Sequence, residues 1–285
     1  MEAYTDFANV YDIFMDDTPY QEWAEVLVQL IKKYGVDTRE KTLEKEAYTE
    51  SQQTLMKEVR LEAERRIIVD LGCGTGILTE LLADAGYDMI GVDSSQDMLN
   101  VAMARREESG KNILYLNQDI RELDLYGTAG AMVSVCDCLN YLLEEDELLQ
   151  VFRLVNNYLY PGGIFLFDFN TVYKYEQVIG DTTIAENRED CSFIWENFYD
   201  KESGINEYDL TIFVRCSEEE YAESGLFRQF VETHFQRGYT LEQIKRLVEQ
   251  AGMKFITALD GDTHQEPREE SQRILIVARE SGKGR

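Results

Sequence analysis

Residues 65–95 read RRIIVDLGCGTGILTELLADAGYDMIGVDSS. An apolar run closing at Leu71 enters a turn with glycine at 72, 74 and 76, an apolar helical stretch follows, and a second apolar run closes at Asp93. Strand, glycine turn, helix and strand in that order form a βαβ unit, and its two strands must lie parallel. Glycine in the turn lets main chain approach a ligand without Cβ interference, at a helix N-terminus where N–H groups converge.

The alternation continues downstream. The reading predicts a helix from about Ser95 to Glu108 with Ser94 or Ser95 as cap, then a third strand in NILYLNQ (112–118) and a fourth in AMVSVCD (131–137). A helix over 144–160 leads to a fifth strand, GGIFLFDFN (162–170). The runs CSFIWENFYD, NEYDLTIFVRCS and LFRQFVETHFQRGY read as antiparallel strands joined by polar turns. Thr240, with Gln243 three residues on, caps a last helix before the strands MKFITAL and RILIVAR.

Upstream, two amphipathic helices are expected, near residues 3–15 and from Pro19 to Gly35. Tyr4, Phe7, Tyr11 and Phe14 share a face of the first. The expected fold is α/β, a doubly wound, mostly parallel Rossmann-like seven-stranded sheet. An N-terminal helical lid occupies 1–36, a charged helical insertion 37–64, the core 65–175 and 240–281, and an antiparallel β cap, inserted after strand five, 176–239.

Charge narrows the function. With 28 basic and 55 acidic residues the net charge is −27, which opposes partners held through phosphates, so nucleic acid and anionic membrane are disfavoured. With no run of about 18 apolar residues and no secretory-type opening, the expected location is cytoplasmic. Five cysteines without a CxxC pair read as free thiols. Cys136 and Cys138, on one face of a continued strand, are too few for a metal site, and none is expected.

Three predicted strands lead into acids: Asp70, Asp93 and Asp119. Each alone suits a cap or turn as well as a site. Together they describe one nucleoside pocket, with Asp93 accepting from ribose hydroxyls and Asp119 from an adenine amino group. The GxGxG spacing, with Ile77 where a dinucleotide pattern has its last small residue, favours adenosylmethionine over a dinucleotide.

VDLGCGTG, the acid in IGVDSS, QDI and YPGGIFLFDFN together resemble the class I S-adenosylmethionine-dependent methyltransferases. FANVYDIFM, CDCLNYL and ETHFQRGYTLEQI narrow the likeness to the small bacterial YqeM-type methyltransferases. The resemblance implies S-adenosyl-L-methionine as cofactor, S-adenosyl-L-homocysteine as product, and binding by Tyr11, Asp70, Gly72, Cys73, Gly74, Asp93, Ser94, Met98, Asp119, Ile120 and Asp137. Tyr11 would close over the ligand, or serve helix packing.

Methyl transfer from a sulfonium is an in-line displacement in which positioning supplies much of the catalysis. If a base is used, Asp137 and His234 are the candidates, with a structural hydrogen bond as the alternative for His234 and a cofactor or loop contact for Asp137, and Tyr11 is a third catalytic candidate. Asn140, Tyr141, Asp168, Asn170, His234 and Arg237 are expected to line the acceptor pocket. The partner expected is a small-molecule acceptor, for a monomer or homodimer; the alternatives are an RNA (tRNA or rRNA) methyltransferase and a non-catalytic S-adenosylmethionine-binding regulator.

Overall fold

The computed structural model describes residues 8–36, 62–216 and 225–283, and in it the βαβ unit is the centre of a larger sheet. Its strands are β1 (Ile67–Leu71), β2 (Asp88–Asp93), β3 (Leu114–Asn117), β4 (Ala129–Ser134), β5 (Leu159–Asn170), β10 (Lys254–Asp260) and β11 (Arg273–Arg279), in spatial order β10-β11-β5-β4-β1-β2-β3. Pairing is parallel from β3 to β5, whereas β11 runs antiparallel to both β5 and β10. Five strand ends therefore share one edge, and the order reverses between β1 and β4, where an open α/β sheet leaves a crevice.

Helices cover both faces. Leu148, Val151, Phe152 and Val155 of α5 (Glu145–Tyr158), with Ile244, Leu247 and Val248 of α6 (Leu241–Gln250), bury against Phe165 and Phe167 of β5. On the other face Ala24, Leu27, Leu30 and Ile31 of α2 (Tyr20–Tyr34) meet Leu78 and Leu82 of α3 (Ile77–Asp84). α4 (Gln96–Ser109) is capped by Ser95, whose hydroxyl accepts from Met98 N–H. Thr240 and Gln243 form the expected reciprocal capping box of α6.

The cap is a separate four-stranded antiparallel sheet, β6 (Thr183–Asn187), β7 (Cys191–Asp200), β8 (Ile205–Arg215) and β9 (Phe227–Arg237). Its strands alternate faces, burying Tyr208, Leu210, Ile212 and His234 while Phe198, Val231 and Phe235 face out. The inner face packs on α1 (Ala8–Phe14), with Phe14 edge-on to Phe193 at 4.8 Å.

Several expectations shift. Pro19 is the residue before α2 rather than its first helical position, and the third and fourth strands stop at Asn117 and Ser134. Cys136 therefore does not continue a strand: it is left-handed (φ 66°), and Cys138 lies in a 3₁₀ turn (Cys138–Tyr141). β6 and a π-helical turn at Lys174–Ile179 were not legible in the periodicity. Tyr4, Phe7 and residues 37–61 of the charged insertion lie outside the described residues; 62–66 are helical.

Phe165 has no exposed surface and stacks on Phe167 at 4.6 Å. Phe165→Ala should cost about 3–5 kcal/mol, through lost burial plus a residual cavity, read as a lower urea midpoint at unchanged slope.

Candidate cofactor and acceptor site

At the carboxyl edge the strand ends enclose a cavity of about 490 Å³. Gly72, Gly74 and Gly76 all have positive φ (73°, 53° and 80°), a region that L-residues avoid. At Gly74 an added Cβ would meet nothing within 4 Å, so main chain itself faces open space. At Gly72 it would fall 2.2 Å from Cys138 Sγ, so the turn also needs glycine for packing.

Asp93 holds that turn in place. Gly74 N–H donates to its Oδ2 and Ser95 N–H to its Oδ1, both at 2.8 Å. Burial nevertheless raises the Asp93 pKa. Asp70, also buried, accepts from the Thr79 hydroxyl at 2.6 Å, and burial, eased by that bond and reinforced by Asp93, pushes its carboxyl up to about 7. Asp119 caps a 3₁₀ turn and is gripped by the Arg121 guanidinium, whose hydrogen bonds hold it below the usual carboxylate range.

Tyr11, Asp70, Gly72, Cys73, Gly74, Asp93, Ser94, Met98, Asp119, Ile120 and Tyr141 all line this cavity. Sequence reasoning missed Tyr20, Thr75, Arg121, Cys136 and Cys138, which line it too. Cys136 could have been found only by knowing that β4 ends early. Its thiol lies 3.8 Å from the Tyr11 hydroxyl, and burial, with Asp137 and Asp168 nearby, keeps it protonated by pushing its pKa to about 12.

The remaining expected residues stand outside the cavity wall. Asp168 lies on β5 beneath the loop after β4, and its carboxylate accepts from the N–H groups of Cys136 and Asp137, both at 3.1 Å. Successive left-handed residues aim their N–H groups together at an anion, which is why an acid sits there. Asn140 is fully buried and joins β5 to β9 by donating to the carbonyls of Asn170 (3.0 Å) and Arg237 (2.7 Å). The Asn170 side chain donates to Tyr175 Oη, and Arg237 donates to the Leu143 carbonyl. Asp137 turns away from the cavity to accept from Gln236. His234 stands behind Tyr141, bonded through Nδ1 to the Tyr141 hydroxyl at 3.0 Å.

α1 is fastened to the glycine turn and to α4. Asp12 accepts from the Thr75 hydroxyl at 2.6 Å and pairs with Arg105, while Arg105 Nε donates to the Thr75 carbonyl. The arrangement fits an adenosyl sulfonium: bare main chain at Gly74, carboxylates for hydroxyls and cations, apolar Met98 and Ile120, and aromatic Tyr11 and Tyr20.

A methyltransferase-domain family profile matches residues 68–163. The chain is 31% identical over 277 residues to a protein named as a methyltransferase in Geobacillus sp. (strain WCH70), covering 97% of this chain and 99% of that one. It is 30% identical to YqeM of Bacillus subtilis (strain 168), over 98% and 97% of the two chains. Among solved structures, an S-adenosylmethionine-dependent methyltransferase from Clostridium acetobutylicum ATCC 824 superposes with a TM-score of 0.76 at 25% identity, covering 99% of this chain and all of that one.

Asp93→Ala should weaken S-adenosylmethionine binding by about 1–3 kcal/mol in calorimetry, since the glycine turn loses its acceptor and the cavity wall a carboxylate. A second expectation concerns pH. Asp70 holds its proton up to about pH 7 when folded, and a cationic ligand prefers it ionised, so affinity should rise through pH 7 and then level. By the same linkage the Asp70 contribution to stability is present in acid and lost as pH rises from about 4 to 7. Asp70→Asn should flatten the affinity profile; an unchanged profile in that variant would assign the pH dependence to another group.

Proposed function

We propose that this chain, which belongs to the YqeM-type S-adenosylmethionine-dependent methyltransferases, passes the methyl group to a small-molecule acceptor by in-line displacement. The observation that carries the reading is the confinement of the cavity. Its volume of about 490 Å³ suits small ligands, and Tyr11 of α1, Tyr20 of α2 and Tyr141 of the loop after β4 add aromatic wall beside the strand ends.

In this reading Asp93 accepts from the ribose, Met98, Asp119 and Ile120 surround the adenine, and main chain near Gly72 meets the amino group. S-adenosylmethionine, when bound, supplies an electrophilic methyl. The protein positions the acceptor against it, and α1 and the cap act as a lid that excludes water. Tyr11 and Tyr20 present aromatic faces to the cation.

RNA is the less favoured acceptor for a specific reason. Arg121 of the cavity wall and two arginines that contact α1 or the residues after it are already neutralised: Arg121 by Asp119 and Glu147, Arg105 by Asp12, and Arg188 by Asp16 and Glu186. Phosphate binding would have to displace these pairs in a chain of net charge −27.

The deciding experiment offers methyl-labelled S-adenosylmethionine with the small-molecule fraction of a cell extract and, separately, with total RNA. Label should enter the small molecules only. Label in RNA would overturn the acceptor class, and cofactor binding without transfer in either sample would favour a non-catalytic regulator.

A further inference from the structure

The inner row of β9 raises a problem that the cofactor site leaves untouched. In Glu232-Thr-His234-Phe-Gln236-Arg237 the period of two turns Glu232, His234 and Gln236 toward the protein, where all three are buried. Gln236 fastens Asp137. Glu232 and His234 join a run of side-chain bonds that ends at the cavity. His234 Nε2 lies 3.2 Å from Glu232 Oε2, His234 Nδ1 lies 3.0 Å from the Tyr141 hydroxyl, and that hydroxyl is 2.8 Å from the hydroxyl of Tyr208. Tyr208 stacks flat on the imidazole, with ring centres 4.8 Å apart and planes 7° from parallel. Burying a carboxylate, an imidazole and the Tyr208 phenol together is costly unless each is bonded, and a purely apolar filling would serve packing as well.

The chemistry assigns a direction to this chain of bonds. For an ionised Glu232, which can only accept, the imidazole proton belongs on Nε2, facing Glu232, and Nδ1 is left as the acceptor. The Tyr141 hydroxyl then donates to Nδ1 and keeps its own oxygen lone pairs for another donor, one of which is Tyr208. Of these four side chains Tyr141 alone lines the cavity. The arrangement is a base, His234, oriented by an acid, Glu232, and reaching the cavity through a phenol.

We propose that Tyr141, His234 and Glu232 form a proton relay that takes the proton from the acceptor during methyl transfer, so that the acceptor is a molecule whose nucleophilic nitrogen or oxygen carries a proton. The inference rests on the small-molecule reading above and specifies its chemistry. The acceptor's lone pair forms the new bond to the methyl carbon, and the electron pair of the broken carbon–sulfur bond stays on sulfur. The positive charge that began on sulfur thereby arrives on the acceptor. Its proton passes to Tyr141 Oη as the Tyr141 proton passes to His234 Nδ1, leaving a neutral methylated product and an imidazolium that faces the Glu232 carboxylate. Tyr141 is the catalytic residue of the three; His234 and Glu232 act through it.

Two measurements on the full-length protein test this. The chain has two histidines, so ¹⁵N-histidine labelling with His264→Gln as the assignment variant isolates the His234 ring in NMR spectra. In the S-adenosylhomocysteine complex near neutral pH the proton should be on Nε2 with Nδ1 bare; a proton on Nδ1, or on both nitrogens, overturns the relay. The second measurement uses the labelled acceptor purified from the extract assay. Tyr141→Phe, which removes one oxygen and keeps the ring, and His234→Gln should each lower kcat by about 100-fold or more, with KM and cofactor affinity within about threefold. Glu232→Gln should lower kcat about tenfold with KM held. Turnover of Tyr141→Phe within threefold of wild type overturns the relay, as does a rise in KM and cofactor Kd that accounts for the whole loss, the pattern of a packing role. If the wild-type protein labels no small molecule, the acceptor reading itself fails, and the NMR measurement still decides which nitrogen faces Tyr141.

Discussion

The Asp93 carboxylate accepts one hydrogen bond from Gly74 N–H and another from Ser95 N–H, and most of the site is referenced to that pair. The glycine turn follows β1 and Ser95 opens α4 after β2, so a single side chain locks together the ends of two parallel strands. Charge-assisted bonds to main-chain N–H groups are strong enough to offset much of the cost of burying the acid. What is fastened to the turn inherits its position. Thr75 carries the Asp12 contact of α1, and Ser95 in turn caps Met98 N–H.

The opposite wall depends on a second carboxylate used differently. Cys136 and Asp137 occupy consecutive left-handed conformations that cost energy in residues bearing a Cβ. Asp168 offsets this by accepting both N–H groups from below, with Arg273 3.6 Å from its carboxylate, while β9 holds the same loop from above through Gln236 on Asp137 and the Asn140 bond to the Arg237 carbonyl. A loop clamped between β5 and β9 presents Cys136, Cys138 and Tyr141 to the cavity in one arrangement. A fully bonded polar layer of this kind fixes geometry more sharply than apolar packing does.

Legibility in the sequence followed the range of the interaction. The capping box of Thr240 and Gln243, the Ser95 cap and the glycine turn are set by contacts within a few residues, and all were readable. The meeting of Asp70, Asp93 and Asp119 at one cavity was readable for a related reason: parallel strands bring their carboxyl ends to one edge, so acids placed there meet whatever the loops between them do. Tyr20 was invisible as a cavity residue because helical periodicity marks it only as part of an apolar face.

The wall formed by the loop after β4 shows where sequence reasoning stopped. The chain alone determined a parallel α/β sheet, a glycine cradle flanked by acids, and a β cap whose last strand carries His234, because strand period, turn stereochemistry and capping are local. Tertiary structure alone decided which polar residues face the cavity and which hold the frame. Asn140 finds its partners 30 and 97 residues away, Cys136 bonds to an acid 32 residues on, and Tyr141 meets His234 across 93. At such separations an acid or amide has the same local signature whether it binds a ligand or braces a loop, and packing of the cap against the sheet makes the choice.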